Sequence, residues 1–211
     1  MNYIDSTMST GRFFEYLCRM DNITEESDNI ELFRRGEWAN GFAEEFSRDL
    51  VICEEKCFEF NSLPPSRKDE RRAIIRGLFR STGEKFNINP PFHCDFGYNI
   101  SIGNDFVGNF NLVILDEAEV TIGNNVFIGP NVSLCTIIHS LETGPRNRGI
   151  MRARPITICD NVWIASNVVV LPGIIIGEGA VIGAGSVVSK DVEPYTLAVD
   201  NPCRKIKDLP R

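Results

Sequence analysis

Residues 154–192 read RPITICDNVWIASNVVVLPGIIIGEGAVIGAGSVVSKDV, and an aliphatic side chain returns at every sixth position: Ile158, Ile164, Val170, Ile176, Ile182 and Val188. Four residues after each anchor stands a small or β-branched residue: Val162, Val168, Ile174, Ala180, Ser186 and Val192. Just before that one comes Asn161, Asn167, Gly173, Gly179, Gly185 or Asp191. Gly, Asn and less often Asp enter the left-handed backbone region cheaply, where a Cβ on other residues clashes with the carbonyl. A bend of that kind every six residues implies short strands joined by identical tight corners. One such repeat cannot bury its own apolar face, so the chain must coil upon itself and stack. The pattern is mainly β, a parallel β-helix. An amphipathic helix would need a period near 3.6, and a meander of hairpins would space its turns irregularly.

Working outward, the same frame holds upstream at Ile122, Ile128 and Leu134, with Asn125 and Asn131 before the corners. Shifted by two residues it continues through Ile102, Gly108 and Ile114, with Asp105 and Asn111. Between the two runs it fails. In Leu134-Cys-Thr-Ile137-Ile138, Ile137 occupies a corner where Asn or Gly belongs. His139 follows at once, then SLETGPRNRGIMRAR before the coil resumes at Pro155-Ile156. Sites where a local rule is broken are where function concentrates. The chain has two histidines, and His139 at this break is the candidate for chemistry; His93, in PPFHCDFG ahead of the main run, reads as structural.

The chain divides into a helical cap over residues 1–84, the coil over 85–200 and a tail over 201–211 punctuated by Pro202 and Pro210. In the cap, Gly11 to Met20 predicts a short helix, and Asp28 an N-cap for a helix over Ile30 to Gly36, which Gly36 ends. Trp38, Phe42 and Phe46 recur at four-residue spacing, an apolar helix stripe suited to packing. After Pro64-Pro65, Ser66 and Asp69 read as a capping box opening a basic helix to about Ser81, closed by Gly83.

The 211 residues carry a net charge of -7, which with no basic, aromatic-rich face argues against a nucleic-acid partner. No apolar run is long enough to span a bilayer and the first residues lack a signal-peptide core, so a cytoplasmic setting is expected. The seven cysteines have no zinc-knuckle spacing; they read as small buried hydrophobes, with Cys53 and Cys57 a weak pair on one helix face. No metal is expected. A γ-class carbonic anhydrase shares this coil but needs three histidines for zinc. Gly177-x-Gly179 lacks the third glycine of a dinucleotide fingerprint, Ile182 standing in its place.

The segments FEFNSLPPS, NPPFHCDFGYNISIG and NFNLVILDEAEVTIGNNVFIGPNVSL, the His-bearing break, residues 154–192 and NPCR together resemble the galactoside and maltose O-acetyltransferases, which are hexapeptide acyltransferases. The resemblance runs from about residue 33 to the end. It implies a left-handed parallel β-helix with an N-terminal helical cap, assembled as a homotrimer, that moves acetyl from acetyl-CoA to a sugar hydroxyl. A hydroxyl is a poor nucleophile at neutral pH, so a base must take its proton, and imidazole suits that task. The resemblance makes His139 that base, sets the amide of Ser166 against the thioester, and gives Asn109 an assisting place at the acceptor hydroxyl.

For CoA it implies Met151, Trp163, Ser166, Ala184, Ser189, Lys190, Arg204 and Lys207; Lys207 stands where the family has Arg, keeping charge and losing the bidentate fork. Arg146, Arg148, Arg152 and Arg154 of the excursion either line the CoA groove or form a solvated basic patch. The acceptor side departs from the family: positions that carry Asp, Ser and Asp there are Gly41, Asp95 and Glu117 here, so Asp95, Asn109 and Glu117 are the expected acceptor contacts. A xenobiotic acetyltransferase on the same coil, or a structural solenoid without chemistry, are the competing readings.

Overall fold

A computed structural model of the chain describes residues 29–211; the helix expected over 11–20 and the N-cap expected at Asp28 lie outside the described residues. The cap consists of α1 (Asn29–Arg34), β1 (Ala39–Asn40), α2 (Glu44–Ser62) and α3 (Lys68–Leu78). The coil then spends three short strands on each turn. These are β2 (Ser81–Thr82), β3 (Phe86–Ile88) and β4 (Phe92–Cys94); β5 (Ile100–Ile102), β6 (Phe106–Gly108) and β7 (Leu112–Leu115); then β8 (Val120–Ile122), β9 (Phe127–Ile128) and β10 (Ser133–Cys135). An excursion follows, with β11 (Ile137–His139), α4 (Thr143–Asn147) and β12 (Ile150–Ala153). The coil resumes with β13 (Ile156–Ile158), β14 (Trp163–Ile164), β15 (Val169–Val170), β16 (Ile175–Ile176), β17 (Val181–Ile182), β18 (Val187–Val188), β19 (Thr196–Val199) and the tail strand β20 (Arg204–Asp208). The result is a β-solenoid of about six turns under a helical cap.

The six-residue anchors become three buried columns. Ile102, Ile122, Ile158 and Ile176 stack in parallel register on one face. Gly108, Ile128, Ile164, Ile182 and Ala198 form the second, and Cys94, Ile114, Leu134, Val170 and Val188 the third. The corners take the expected backbone. Asp105, Asn111, Asn125, Asn131, Asn161 and Asn167 have φ between 54° and 62°, and Gly173, Gly179 and Gly185 between 66° and 82°. Asp191 is the exception: it is absent from the positive-φ residues, its carboxylate instead accepts the Ile175 amide at 2.8 Å, and Tyr195 (φ 52°) makes the next left-handed corner. The excursion is more ordered than a loop. β11 and β12 pair antiparallel, and β12 pairs on its other side with β1 of the cap. The tail also returns, laying β20 antiparallel on β19.

The cap covers the open end of the coil. Cys53, Cys57 and Phe60 of α2 and Ile75 of α3 are buried in the same core as the solenoid columns. Asn61 substitutes for a missing strand by accepting the Phe92 amide and donating to the Phe92 carbonyl, both at 2.9 Å, which shields an edge that would otherwise pair with another chain. Gly36 (φ 68°) ends the first helix as expected, with Gly36 N–H to the Phe33 carbonyl and Glu37 N–H to the Leu32 carbonyl.

Two expectations for the cap fail. The Trp38, Phe42 and Phe46 spacing is not a helix stripe, because pairing of Ala39–Asn40 with β12 holds that segment extended and α2 begins only at Glu44. Phe46 alone packs from the helix, against Phe33 and Phe96, while Phe42 is exposed. Ser66 does not cap α3. Arg67 holds the N-cap position without a side-chain cap bond, and Arg67 pairs with Glu70. The helix stops at Leu78, where Phe79 turns extended to set its ring against Phe92. Gly83 belongs to the coil instead: a Cβ there would meet backbone of Gly103 and Asn104 at 2.6 Å.

Candidate active site

The coil sorts the candidate residues onto two edges. On the edge between β6 and β7 stands Asn109, whose Oδ1 accepts the Phe110 amide at 2.9 Å and lies 3.4 Å from Asn89 Nδ2. The same edge, followed along the axis, carries Asn111, Asn131 and Asn167, whose side-chain amides form a ladder with steps of 2.8 and 3.1 Å. Ser166, after β14, and Ala184, after β17, complete it, with the Gly185 amide donating to the Ser166 carbonyl at 2.9 Å. The Ala165 and Asn167 amides are spent on Ile182 and Pro130, whereas the Ser166 N–H makes no backbone hydrogen bond among the described residues. An uncommitted amide between two committed ones is the kind of donor an oxyanion needs. Trp163 is exposed and sits in an outward row with Phe127 and Val181.

The edge after β4, β7 and β10 is acidic. Asp116 is fully buried; its Oδ1 accepts the amides of Asp95 and Phe96 at 3.1 and 2.9 Å, and Asn99 donates to its carbonyl at 2.7 Å. Burial pushes Asp116 up to about 6. Glu117 is pushed up to about 8, first by burial and then by the negative Asp95 beside it. Burial also raises Asp95, offset by the hydrogen bond it shares with Glu117. Burial thus favours the protonated form at both carboxyls of this hydrogen-bonded pair. Thr136 ties this corner down: its hydroxyl donates to the Leu115 carbonyl at 2.8 Å, accepts the Ala118 amide at 3.0 Å and reaches Glu117 Oε2 at 3.3 Å.

His139 begins where that corner ends. Thr136 is the last residue held by the coil, through its amide on Leu115; Ile137 then starts β11, and His139 closes it, exposed, opposite Met151 in the β11–β12 register. Met151 also faces Ala39, so the histidine strand is braced on the cap. The vacancy left by Gly41 is filled from here, since a Cβ on Gly41 would lie 1.5 Å from Met151 Cε. Gly41 and Met151 thus form one local arrangement, and Met151 packs inward against the cap cluster. Of the excursion arginines, Arg146 donates to the Ser140 and Leu141 carbonyls and Arg152 stacks 4.9 Å above the Trp38 ring, so these two hold structure.

One chain does not bring all the candidates together. Asn109 and Glu117 stand at opposite ends of the four-residue strand β7, and a strand of that length spans about 13 Å. Ser166 and Ala184 lie on the Asn109 edge, whereas Ser189 and Lys190 follow β18 on the acidic edge. Arg204 and Lys207 are exposed on β20, Arg204 paired with Asp200 at 2.9 Å. Sequence reasoning missed Asp116 and Thr136, which depend on residues from successive turns, and the Trp38–Arg152 stack, which joins the cap to the excursion.

Residues 34–83 match the maltose acetyltransferase hexapeptide capping motif, and residues 155–190 match the bacterial transferase hexapeptide. The galactoside O-acetyltransferase of Escherichia coli is 45% identical over 152 residues, 72% of this chain and 75% of that protein. The chain belongs to the hexapeptide-repeat acetyltransferases. Among solved structures of such acetyltransferases, a maltose O-acetyltransferase from Clostridium difficile superposes with a TM-score of 0.86 at 38% identity, covering 88% of this chain and 99% of that one. A hexapeptide-repeat acetyltransferase from Vibrio cholerae, solved with acetyl coenzyme A, gives 0.80 at 37% identity over 88% of this chain and all of that one. No helix among the described residues is long and apolar enough to cross a membrane.

Proposed function

We propose that His139 is the general base with which this acetyl-CoA-dependent O-acetyltransferase moves acetyl to a hydroxyl of a saccharide acceptor. The observation that carries this is the exit of the chain from the coil at Thr136, which presents the excursion's one histidine on a braced strand beside an acidic corner. The acceptor O–H gives its proton to the imidazole as its oxygen attacks the thioester carbonyl. The tetrahedral oxyanion is met by the free Ser166 amide. Collapse expels the CoA thiolate, which takes the proton back from the imidazolium. Asn109 holds the acceptor hydroxyl, and Asp95 with its hydrogen-bonded partner Glu117 grips neighbouring hydroxyls. Lys190, Arg204 and Lys207 supply positive charge for the CoA phosphates, and Trp163, Ala184 and Ser189 line its path.

Because the candidates occupy two edges of one coil, the working site forms between subunits of a homotrimer, Ser166 and Asn109 from one coil facing His139 and the acidic corner of its neighbour. Thiol release from acetyl-CoA with a panel of saccharide acceptors tests the reading. His139→Ala should lose about 10²–10⁴-fold in kcat with CoA affinity retained. Near-native turnover by that variant on the best acceptor would refute the role given to His139, and a fully active monomer in sedimentation would refute the shared site.

A further inference from the structure

Cys53 and Cys57 lie one turn apart on α2, and Cys94 ends β4 beneath them. Their exposures are 1%, 3% and 6%, so all three are shut inside the core with Phe60, Ile75 and Phe92. The Cys53 and Cys94 sulfurs are 3.5 Å apart, those of Cys57 and Cys94 4.0 Å, and all three fall within 4.8 Å of one another. Packing alone asks for three small apolar side chains here; it does not ask for three sulfur donors within 4.8 Å of one another. With a metal–sulfur bond of about 2.3 Å, three sulfurs in a plane around one ion stand about 4.0 Å apart. The sulfurs therefore need to move by less than about 1 Å to enclose an ion. Cys53 also lines a cleft of about 490 Å³ between α2 and α3, with Lys56, Leu78 and Tyr98, which opens a way in.

The donor set selects the ion. All three ligands are soft sulfur, and among the described residues no fourth side-chain donor joins them. Hard cations want oxygen, and structural zinc wants four ligands. Monovalent copper is soft and takes three thiol sulfurs readily. We propose that Cys53, Cys57 and Cys94 form a three-sulfur site for a single Cu(I) ion, which ties the cap helix to the coil one residue from Asp95. Ligation releases thiol protons to solvent and changes no oxidation state.

The test uses reduced full-length protein under nitrogen, with Cu(I) titrated against a chromogenic Cu(I) chelator. The other four cysteines are replaced by serine throughout to remove weaker sites, and the readout is independent of acetyl transfer. One equivalent should bind, Cys57→Ser and Cys53→Ala should each weaken binding at least 100-fold, and X-ray absorption should report three sulfurs at about 2.3 Å. The thermal midpoint should rise with copper in the parent and not in the variants. Circular dichroism of the two variants separates lost folding from lost binding, since each leaves Cys94 in place. Equal affinity in the parent and a folded variant would overturn the proposal, as would zinc binding with equal stoichiometry and preference. A mass two hydrogens lighter, from a Cys53–Cys94 disulfide formed in place of copper binding, would overturn it too.

Discussion

Asn131 is the middle rung of the side-chain ladder that runs along the Ser166 edge, and its replacement separates two contributions. Its φ is 58°, and its side chain accepts from Asn111 at 2.8 Å and donates to Asn167 at 3.1 Å. Both bonds are exposed, so together they are worth about 1 kcal/mol, the low end for such bonds. Asn131→Gly loses them and adds roughly 0.5–1 kcal/mol of chain entropy, for a total of about 2 kcal/mol. Asn131→Ala loses the same bonds, escapes that entropy term, and instead leaves in the left-handed region a residue that lacks the local polar bonding by which Asn tolerates it, at up to about 1–2 kcal/mol, for a total of about 2–3 kcal/mol. The order therefore inverts the usual one, in which alanine is kinder than glycine. Equilibrium urea unfolding at one fixed protein concentration measures both, so that any linkage to assembly is held constant. If the alanine variant proves as stable as the glycine variant or more so, the corner argument on which the whole coil was read is wrong.

Gly103→Ala should be far less tolerated than an ordinary surface change, because its Cβ would lie 2.7 Å from Gly123 backbone in the next turn; a loss of about 3 kcal/mol or failure to fold is expected, and soluble yield with a thermal midpoint checks it. Glu117 carries a carboxyl raised from 4.5 to about 8, so the native state holds an extra proton between those values. Its contribution is fully present below about pH 4.5 and is lost as pH rises through about 8. Glu117→Gln should flatten the fall in thermal midpoint over that window, and parallel curves for the two proteins would contradict the burial argument. Gly41→Asp should cost about 1–3 kcal/mol by displacing Met151, and Met151→Ala should return part of that loss when added, a non-additivity that a double-mutant cycle reads directly.

Local backbone chemistry made most of the fold legible from sequence. A corner is a property of one residue and its φ, so Asn125, Asn131, Asn161, Asn167, Gly173, Gly179 and Gly185 announce themselves, and the aliphatic anchors between them declare which way each strand faces. The same logic exposed the break at Ile137, because a β-branched residue cannot take that corner. Where the local signal was ambiguous, tertiary pairing overruled it. Trp38, Phe42 and Phe46 fit a helix period, but β12 offered Ala39–Asn40 a strand partner. Asp191 suits a left-handed corner, but its carboxylate bonded the Ile175 amide.

The site divides along the same line. His139 was nameable because it sits at the interruption of the repeat, whereas Ser166 and Asn109 were named from the family resemblance. The buried Asp116, the pairing of the Asp95 and Glu117 carboxyls, the bracing of His139 by Met151 and the cap, and the meeting of Cys53, Cys57 and Cys94 were not. Each of those joins separate strands or helices, as Asp95 and Asp116, 21 positions apart, and Cys53 and Cys94, 41 apart, do. Sequence spacing reports what one strand or helix does with its own backbone. Which turn stacks on which, and which helix closes the end of the coil, is decided when the apolar columns leave water, and only then do the polar groups riding on them become neighbours.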